Sequence, residues 1–125
     1  MTENEIGEKM LGCGLAVHRI LGPGLLESAY ETCLCYELGK IALPFRRQIE
    51  LPVRYDGRRI DANYRLDLLV DEKVVVEIKS VETLLPIHEA QLLSYLRLGE
   101  FKLGYLLNFN VVLFRDGIRR KVNGL

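Results

Sequence analysis

The sequence predicts an α/β fold in which helices cover the faces of a mixed sheet. Two helical segments come first, several strands follow, and a third helix precedes the last strands. Elements in this order typically form layers of helix and sheet around a hydrophobic core. The 125 residues are about the length of one domain, so we expect a single domain over 1–125.

The two N-terminal helices are predicted from apolar periodicity. Over residues 5–20, apolar side chains recur at spacings of three and four, at Ile6, Met10, Cys13, Val17 and Ile20. Gly22-Pro23-Gly24 ends this helix. The second helix is predicted from Leu25 to Leu38, with Gly39 as its stop signal.

Strands dominate the middle of the chain. They are predicted at 45–55, 58–62, 64–70 and 74–79, the second of them irregular. Asp56-Gly57 is a strong hairpin-turn dipeptide, and the charged residues 71–73 make the next turn.

The third helix is predicted over 87–98, after Pro86 and before Gly99. Two more strands are expected at 102–109 and 111–114. Asp116-Gly117 then turns the chain into a last strand at 118–122. His88 is expected to be a surface or capping residue rather than a catalytic base.

Charge is segregated along a chain whose net charge is zero. The neutral balance argues against a protein that relies on non-specific DNA binding. Residues 40–65, however, hold seven basic and three acidic side chains. Two interpretations remain open: a face that meets an anion, or an arginine-rich solvated hairpin edge.

Location is predicted to be cytoplasmic. No apolar run approaches the ~18 residues that span a bilayer, and the first residues are acidic where a secretory signal is basic. The odd count of three cysteines excludes a full disulfide framework. Cys33 and Cys35 lie two apart on a helix and point to different faces, so we expect buried thiols rather than metal ligands.

The hairpin over 64–79 has one register that matches its apolar residues. In that register the opposing pairs are Val70–Val74, Leu68–Val76 and Leu66–Ile78. It places Asp67 directly opposite Glu77, with Lys79 one step along on the same face. Carboxylates about 5 Å apart at Cβ repel each other unless a cation lies between them. A hard divalent cation such as Mg²⁺ suits these oxygen ligands, but the hairpin alone favours the alternative, an exposed sheet face with ordinary mixed charges.

The second and third helices contribute further polar residues that are candidates for the site. Gln91 and Tyr95 are four apart and share a face of the third helix. Glu27, in the first turn of the second helix, could serve the helix dipole alone. Tyr30 is expected in the core.

Residues Gly24-Leu25-Leu26-Glu27-Ser28-Ala29-Tyr30 resemble the pattern that names the GxxExxY protein family. That family is placed in the PD-(D/E)XK nuclease superfamily, and the resemblance runs from about residue 5 to the C-terminus. It implies a restriction-endonuclease-like core of order αβββαβ, preceded here by an extra N-terminal helix. Gln91 and Tyr95 resemble the QxxxY motif of RecB-like nucleases.

The resemblance implies a nuclease dependent on Mg²⁺ or Mn²⁺, which hydrolyses phosphodiester bonds of nucleic acid, with DNA preferred over RNA. The implied catalytic residues are Glu27, Asp67, Glu77, Lys79, Gln91 and Tyr95. The implied metal ligands are Asp67, Glu77, Glu27 and the backbone carbonyl of Ile78. The arginine-rich stretch is expected to follow the nucleic-acid backbone through Arg46, Arg47, Arg54, Arg58, Arg59 and Arg65.

Two alternatives remain open at this stage. The chain could be a nucleic-acid-binding or interaction module on a nuclease fold, without useful catalysis. It could also work as a homodimer paired through the first helix, although that helix could equally cover the sheet. A partner protein could supply the choice of substrate. We expect no membrane contact.

Overall fold

The computed structural model describes residues 1–125 and has three α-helices and five strands. The helices are α1 (Glu3–Leu21), α2 (Glu27–Lys40) and α3 (Pro86–Gly99). The strands are β1 (Phe45–Tyr55), β2 (Arg58–Val70), β3 (Val74–Lys79), β4 (Leu103–Asn108) and β5 (Ile118–Val122). A short 3₁₀ helix, Phe114–Gly117, lies between β4 and β5.

The strands form one mixed sheet in the order β1-β2-β3-β4-β5. Only β3 and β4 are parallel, and α3 makes the crossover between them. The other neighbours are antiparallel. The predicted α/β class, with a mixed sheet flanked by helices in the order αβββαβ after α1, is therefore confirmed.

The sheet has a hydrophobic core on each face. On one face, α1 and α2 pack against side chains such as Leu68, Val76 and Ile78. On the other face, α3 covers a smaller cluster that includes Leu66 and Val75. Both faces of β3 are buried, which explains its nearly continuous apolar sequence.

The helix starts and ends differ from the expected positions for local reasons. α1 begins two residues early because Thr2 and Glu5 form a capping box. α2 begins at Glu27 and continues through Gly39 to Lys40, so the expected stop at Gly39 is wrong. His88 accepts a hydrogen bond from the Leu85 backbone N–H at 3.0 Å, and its expected capping role is confirmed.

Two strand predictions are wrong. The segments expected at 58–62 and 64–70 are one strand, β2, because a bulge with Asn63 at φ 54° keeps the two parts in one ladder. No strand forms at 111–114. Val112 and Leu113 are exposed there, and Phe114 starts the 3₁₀ helix because its ring packs into the core beside His18.

None of the helices is both long enough and apolar enough to cross a membrane. All three cysteines are free thiols. Cys13 and Cys35 are buried as expected, whereas Cys33 is only partly covered.

Candidate active site

The site lies where the ladder between β2 and β3 ends. The observed pairs Val70–Val74 and Leu68–Val76 confirm the predicted register. The ladder stops after Leu68, one step before Asp67 and Glu77. The predicted pairing of Leu66 with Ile78 on one face is wrong, since Leu66 packs against α3 and Ile78 packs on the opposite face.

Asp67 and Glu77 fill the gap with side-chain hydrogen bonds. The Glu77 carboxylate accepts from the Asp67 backbone N–H at 2.8 Å, and the Asp67 carboxylate accepts from the Ile78 backbone N–H, also at 2.8 Å. Each carboxylate thus takes a place that a carbonyl would hold in a regular ladder. The exchange brings the two acidic groups to one point between the strands.

Both carboxyl groups are held where ionisation is unfavourable. Burial, followed by the charge of Asp67, raises the pKa of Glu77 to about 8. Burial also raises the pKa of Asp67, although the hydrogen bond from Ile78 opposes that shift. Glu77 is only 6% exposed, so water screens this repulsion poorly. Two acidic groups this close together favour a proton or a bound cation between them.

The donor set fits a hard divalent cation. Asp67 and Glu77 offer carboxylate oxygens. The backbone N–H and C=O of one residue in a strand point to the same edge, so the carbonyl of Ile78 faces β2 as its N–H does. No group of three His, Cys, Asp or Glu residues gathers closely enough to form an all-side-chain metal cage. Mg²⁺, which binds one or two carboxylates and retains several waters, suits such a set better than Zn²⁺.

Lys79 follows Glu77 on the same face of β3, because strand side chains alternate. It is half-buried and has no ion-pair partner within 4.0 Å. Its charge lowers the pKa of both Glu77 and Asp67, less strongly than burial raises them. The ammonium group therefore lies within electrostatic range of the carboxylates and is free to bind a ligand.

A third carboxylate, Glu31, approaches the site from α2. Arg47 donates two hydrogen bonds to one of its oxygens, at 3.0 and 2.9 Å. Gln48 donates to the other oxygen at 2.9 Å and reaches Asp67 at 3.4 Å. Glu31 is buried, and its charge raises the pKa of Asp67 and of Glu77. A network of polar side chains thus joins α2 to the site.

Sequence reasoning missed this network. Glu31 is four residues after Glu27 and shares its helix face, so the spacing contained a usable signal. Gln48 gave none. It takes a left-handed conformation at φ 49°, opposite Asp67, where the β1–β2 pairing skips a position. Such a conformation in a non-glycine residue is strained and cannot be inferred from residue type.

The structure does not join every predicted residue to the carboxylate pair. Glu27 is exposed at the start of α2 and makes no side-chain hydrogen bond. The hydroxyl of Ser80, just after Lys79, donates to the Leu25 carbonyl at 2.6 Å, so the start of α2 lies beside the end of β3. Glu27 is therefore on the rim of the site.

On α3, Gln91 is exposed and Tyr95 is buried. Burial and then the charge of Glu77 raise the pKa of Tyr95, which places its hydroxyl within electrostatic range of that carboxylate. The Tyr95 ring is 5.7 Å from that of Tyr64 at an interplanar angle of 55°. Gln91 lies one turn earlier on the same helix face.

Tyr30 holds the loop that precedes α2. It is fully buried, as predicted, and stacks on Phe109 with 4.5 Å between ring centroids. Its hydroxyl donates to the Gly22 carbonyl at 2.6 Å and accepts from the Leu25 N–H at 3.1 Å. This residue sets the position at which α2 begins.

The six arginines expected to contact nucleic acid fall into two groups. Three have acidic partners: Arg46 with Glu72, Arg47 with Glu31, and Arg59 with Glu50. The other three, Arg54, Arg58 and Arg65, form no ion pair and are exposed. Free positive charge therefore collects on the outer part of the β1–β2 hairpin.

The mixed sheet, with two carboxylates and a lysine at the broken end of a strand pair, fits a restriction-endonuclease-like fold. A family model described as the PD-(D/E)XK nuclease superfamily matches residues 4–121. The chain belongs to this superfamily. No curated protein and no solved structure gives a significant match.

Proposed function

We propose that the protein is a Mg²⁺- or Mn²⁺-dependent nuclease that hydrolyses phosphodiester bonds. The observation that carries the proposal is the exchange of hydrogen bonds by Asp67 and Glu77 at the end of the β2–β3 ladder. It brings the buried carboxyl group of Glu77 and the part-buried carboxyl group of Asp67 together, beside Lys79, which forms no ion pair. Superfamily membership supports the same conclusion.

Asp67, Glu77 and the carbonyl of Ile78 would hold the metal. When bound, the metal would lower the pKa of a coordinated water and offset charge on the scissile phosphate. Before it binds, the raised pKa of Glu77 keeps that carboxyl group largely protonated near neutral pH. Glu77 would therefore give up a proton when it holds the metal.

Lys79 supplies positive charge beside the carboxylates. Its ammonium group orients the attacking water and stabilises the negative charge that develops in the pentavalent transition state. Gln91 steadies the site from α3, and the Tyr95 hydroxyl contacts a phosphate oxygen. The roles proposed for Gln91 and Tyr95 depend on the two side chains lying on the same face of α3.

The helix carboxylates act around this centre. Glu27 helps to hold the metal, directly or through water, from the rim of the site. The pattern over Gly24 to Tyr30 supports assignment to the GxxExxY group, and the pair Gln91 and Tyr95 supports the QxxxY pattern. The hydroxyl of the buried Tyr30 fixes the loop from which Glu27 projects, which supports a structural role for the tyrosine of that pattern.

The whole chain, 1–125, acts as one nuclease-like domain in this proposal, with DNA rather than RNA as its substrate, and it works in the cytoplasm. The free arginines of the β1–β2 hairpin contact the phosphate backbone, which fixes position without reading sequence. A partner protein supplies the choice of substrate. Sizing of the purified protein distinguishes a monomer from a homodimer paired through α1.

The test is a cleavage panel on linear, nicked, branched and single-stranded DNA and RNA with Mg²⁺ or Mn²⁺. We expect wild-type protein to cut at least one substrate, and EDTA to stop it. Asp67→Ala, Glu77→Ala and Lys79→Ala should each lower the rate by about 10²-fold or more, the usual cost of losing a transition-state contact. Glu82→Ala, in an exposed loop, is the matched control. Metal-dependent cleavage retained in all three variants would contradict the proposal.

A further inference from the structure

The α3 side of the sheet continues past the carboxylate pair onto the β1–β2 hairpin. Tyr64 pairs with Leu51, whose side chain packs in the α3 core, so Tyr64 also faces α3. Beyond the bulge, Arg54 pairs directly with Arg59. Side chains of directly opposed residues share a face of the sheet.

Tyr64 is the residue of the β1–β2 hairpin that lies next to the carboxylate site. Tyr64 is 42% exposed, and its ring is inclined to that of Tyr95, whose hydroxyl is in electrostatic range of Glu77. Tyr95 is buried and offers little ring surface. Tyr64 thus presents an accessible aromatic face next to the site.

A cleft lies between β1 and the C-terminal end of α3, beside Leu51, which pairs with Tyr64. Its volume is about 600 Å³, and its lining residues are Leu51, Pro52, Arg54, Arg97, Leu98, Gly99 and Glu100. This volume is typical of a site for a small ligand and too small for a duplex.

Positive charge in the cleft lacks protein partners. Neither Arg54 nor Arg97 forms a salt bridge, and only Glu100 provides an acidic group in the lining. Arg54 is also directly opposite Arg59, an arrangement of like charges that destabilises a strand pair. Glu50 offsets Arg59 alone, at 3.2 Å in an exposed position. An anion bound between these arginines would remove the repulsion.

We propose that a single-stranded polynucleotide runs from the carboxylate pair across Tyr64 into the cleft at Arg54 and Arg97. This inference rests on the proposed nuclease function and names the substrate class of that site. A base stacks on the Tyr64 ring, and a phosphate lies between the two arginines. An aromatic platform beside a basic groove is the usual means of binding single strands without reading their sequence.

The test measures binding without cleavage. Fluorescence anisotropy in EDTA is recorded with labelled dT₁₂, U₁₂ and a blunt 12-base-pair DNA duplex. We expect wild-type protein to bind dT₁₂ or U₁₂ at least about tenfold more tightly than the duplex. Comparison of the affinities for dT₁₂ and U₁₂ shows whether the bound strand is DNA or RNA. Equal or tighter binding of the duplex would overturn the inference.

Variants locate the path of the strand. Tyr64→Ala should weaken single-strand binding by about 5- to 100-fold, the usual worth of a stacked base. Arg54→Ala and Arg97→Ala should each weaken it and reduce the slope of log Kd against log salt by about 0.7. Tyr36→Ala and Lys9→Ala, both exposed in the helical layer on the other face, are the matched controls.

Unchanged single-strand affinity in Tyr64→Ala together with an unchanged salt slope in both arginine variants would overturn the inference. Thermal melting checks that each variant is folded, and only folded variants are compared in binding. The result is independent of the cleavage test, because binding is measured without metal. If the enzyme cuts only duplex DNA, the proposed nuclease function stands and the inference of a single-stranded substrate is wrong.

Discussion

At the scale of single residues, the carboxylate pair Asp67 and Glu77 dominates the chemistry. Their hydrogen bonds to the opposite backbone replace ladder bonds, so the residues that end the strand pairing also form the candidate site. The protein tolerates the buried acid Glu77 beside the part-buried acid Asp67, an arrangement that costs stability unless a proton or a cation compensates it.

The raised pKa of Glu77 predicts a pH-dependent stability of the metal-free protein. A carboxyl group with a higher pKa in the folded than in the unfolded chain stabilises the fold in its protonated form. That contribution is complete below the ordinary value of 4.5 and is lost as pH rises through about 8. In EDTA, we expect wild type to lose stability over this range relative to Glu77→Gln, by roughly 1.4 kcal/mol per unit of pKa difference.

Denaturant unfolding at several pH values measures this effect. Glu8→Gln, an exposed carboxylate on α1, is the control and should follow the wild-type curve. A constant difference in free energy of unfolding between wild type and Glu77→Gln from pH 4.5 to pH 8 would show that the Glu77 carboxyl is not perturbed as described.

Gln48 is predicted to position Asp67. Gln48→Gly removes the hydrogen bonds to Glu31 and Asp67, and glycine accommodates the left-handed conformation without strain. We expect the free energy of unfolding to change by less than about 1 kcal/mol while the cleavage rate falls about tenfold. The substitution Gln48→Asn also tolerates this conformation but shortens the side chain that carries the amide, and it should be similarly slow. Wild-type cleavage by both variants would rule out a positioning role.

At the scale of elements, the start of α2 depends on Tyr30. The ring stacks on Phe109, and the hydroxyl ties the Gly22 carbonyl to the Leu25 N–H. The next contact, from Ser80 to Leu25, joins this loop to the end of β3. The loop therefore couples the helix that carries Glu27 and Glu31 to the strand that carries Glu77.

Tyr30→Phe should lower the free energy of unfolding by about 1–2 kcal/mol, because it removes two part-buried hydrogen bonds, to the Gly22 carbonyl and from the Leu25 N–H. It should also slow cleavage, since α2 loses an anchor at its first turn. Tyr36→Phe removes a hydroxyl from a ring that is 68% exposed and should change neither quantity. Identical melting of the two variants would contradict the role given to the Tyr30 hydroxyl.

The 3₁₀ helix between β4 and β5 is predicted to be intolerant of a side chain at Gly117. A Cβ there would meet the backbone carbonyl oxygen of Asn108, which cannot move without disturbing β4. Gly117→Ala should therefore destabilise the protein by more than about 2 kcal/mol. Gly12→Ala in α1 meets no atom and should stabilise by about 0.5–1 kcal/mol. Thermal melts of the two variants that shift in the same direction would refute this contrast.

At the scale of the whole molecule, most of the fold could be predicted from sequence because periodicity is local. The apolar match between β2 and β3 correctly predicted Val70–Val74 and Leu68–Val76. It failed at Leu66, since the left-handed Gln48 and the hydrogen bonds of Asp67 shift the strand's alternation. The expected strand at 111–114 failed because tertiary packing of Phe114, which is not a local property, decides that segment.

Less of the candidate site than of the fold could be predicted from the sequence. Asp67, Glu77 and Lys79 could be proposed from the sequence, and the spacing of Glu31 from Glu27 offered a signal as well, but the contacts of Glu31 depend on how α2 lies against β1. The free arginines Arg54 and Arg97 are far apart in sequence, and only the curl of the hairpin toward the end of α3 brings them to one cleft. The whole molecule has no net charge, yet three exposed arginines on the β1–β2 hairpin, Arg54, Arg58 and Arg65, form no ion pair.

The most direct measurement of the central claim is calorimetric titration of the metal-free protein with Mn²⁺ at about pH 8, near the raised pKa of Glu77. If Asp67 and Glu77 form a metal site, wild type binds Mn²⁺ with release of protons, and Asp67→Asn and Glu77→Gln each weaken binding by about tenfold or more. Glu82→Gln should bind as wild type does. Binding of Mn²⁺ by Glu77→Gln with wild-type affinity and proton release would contradict the account.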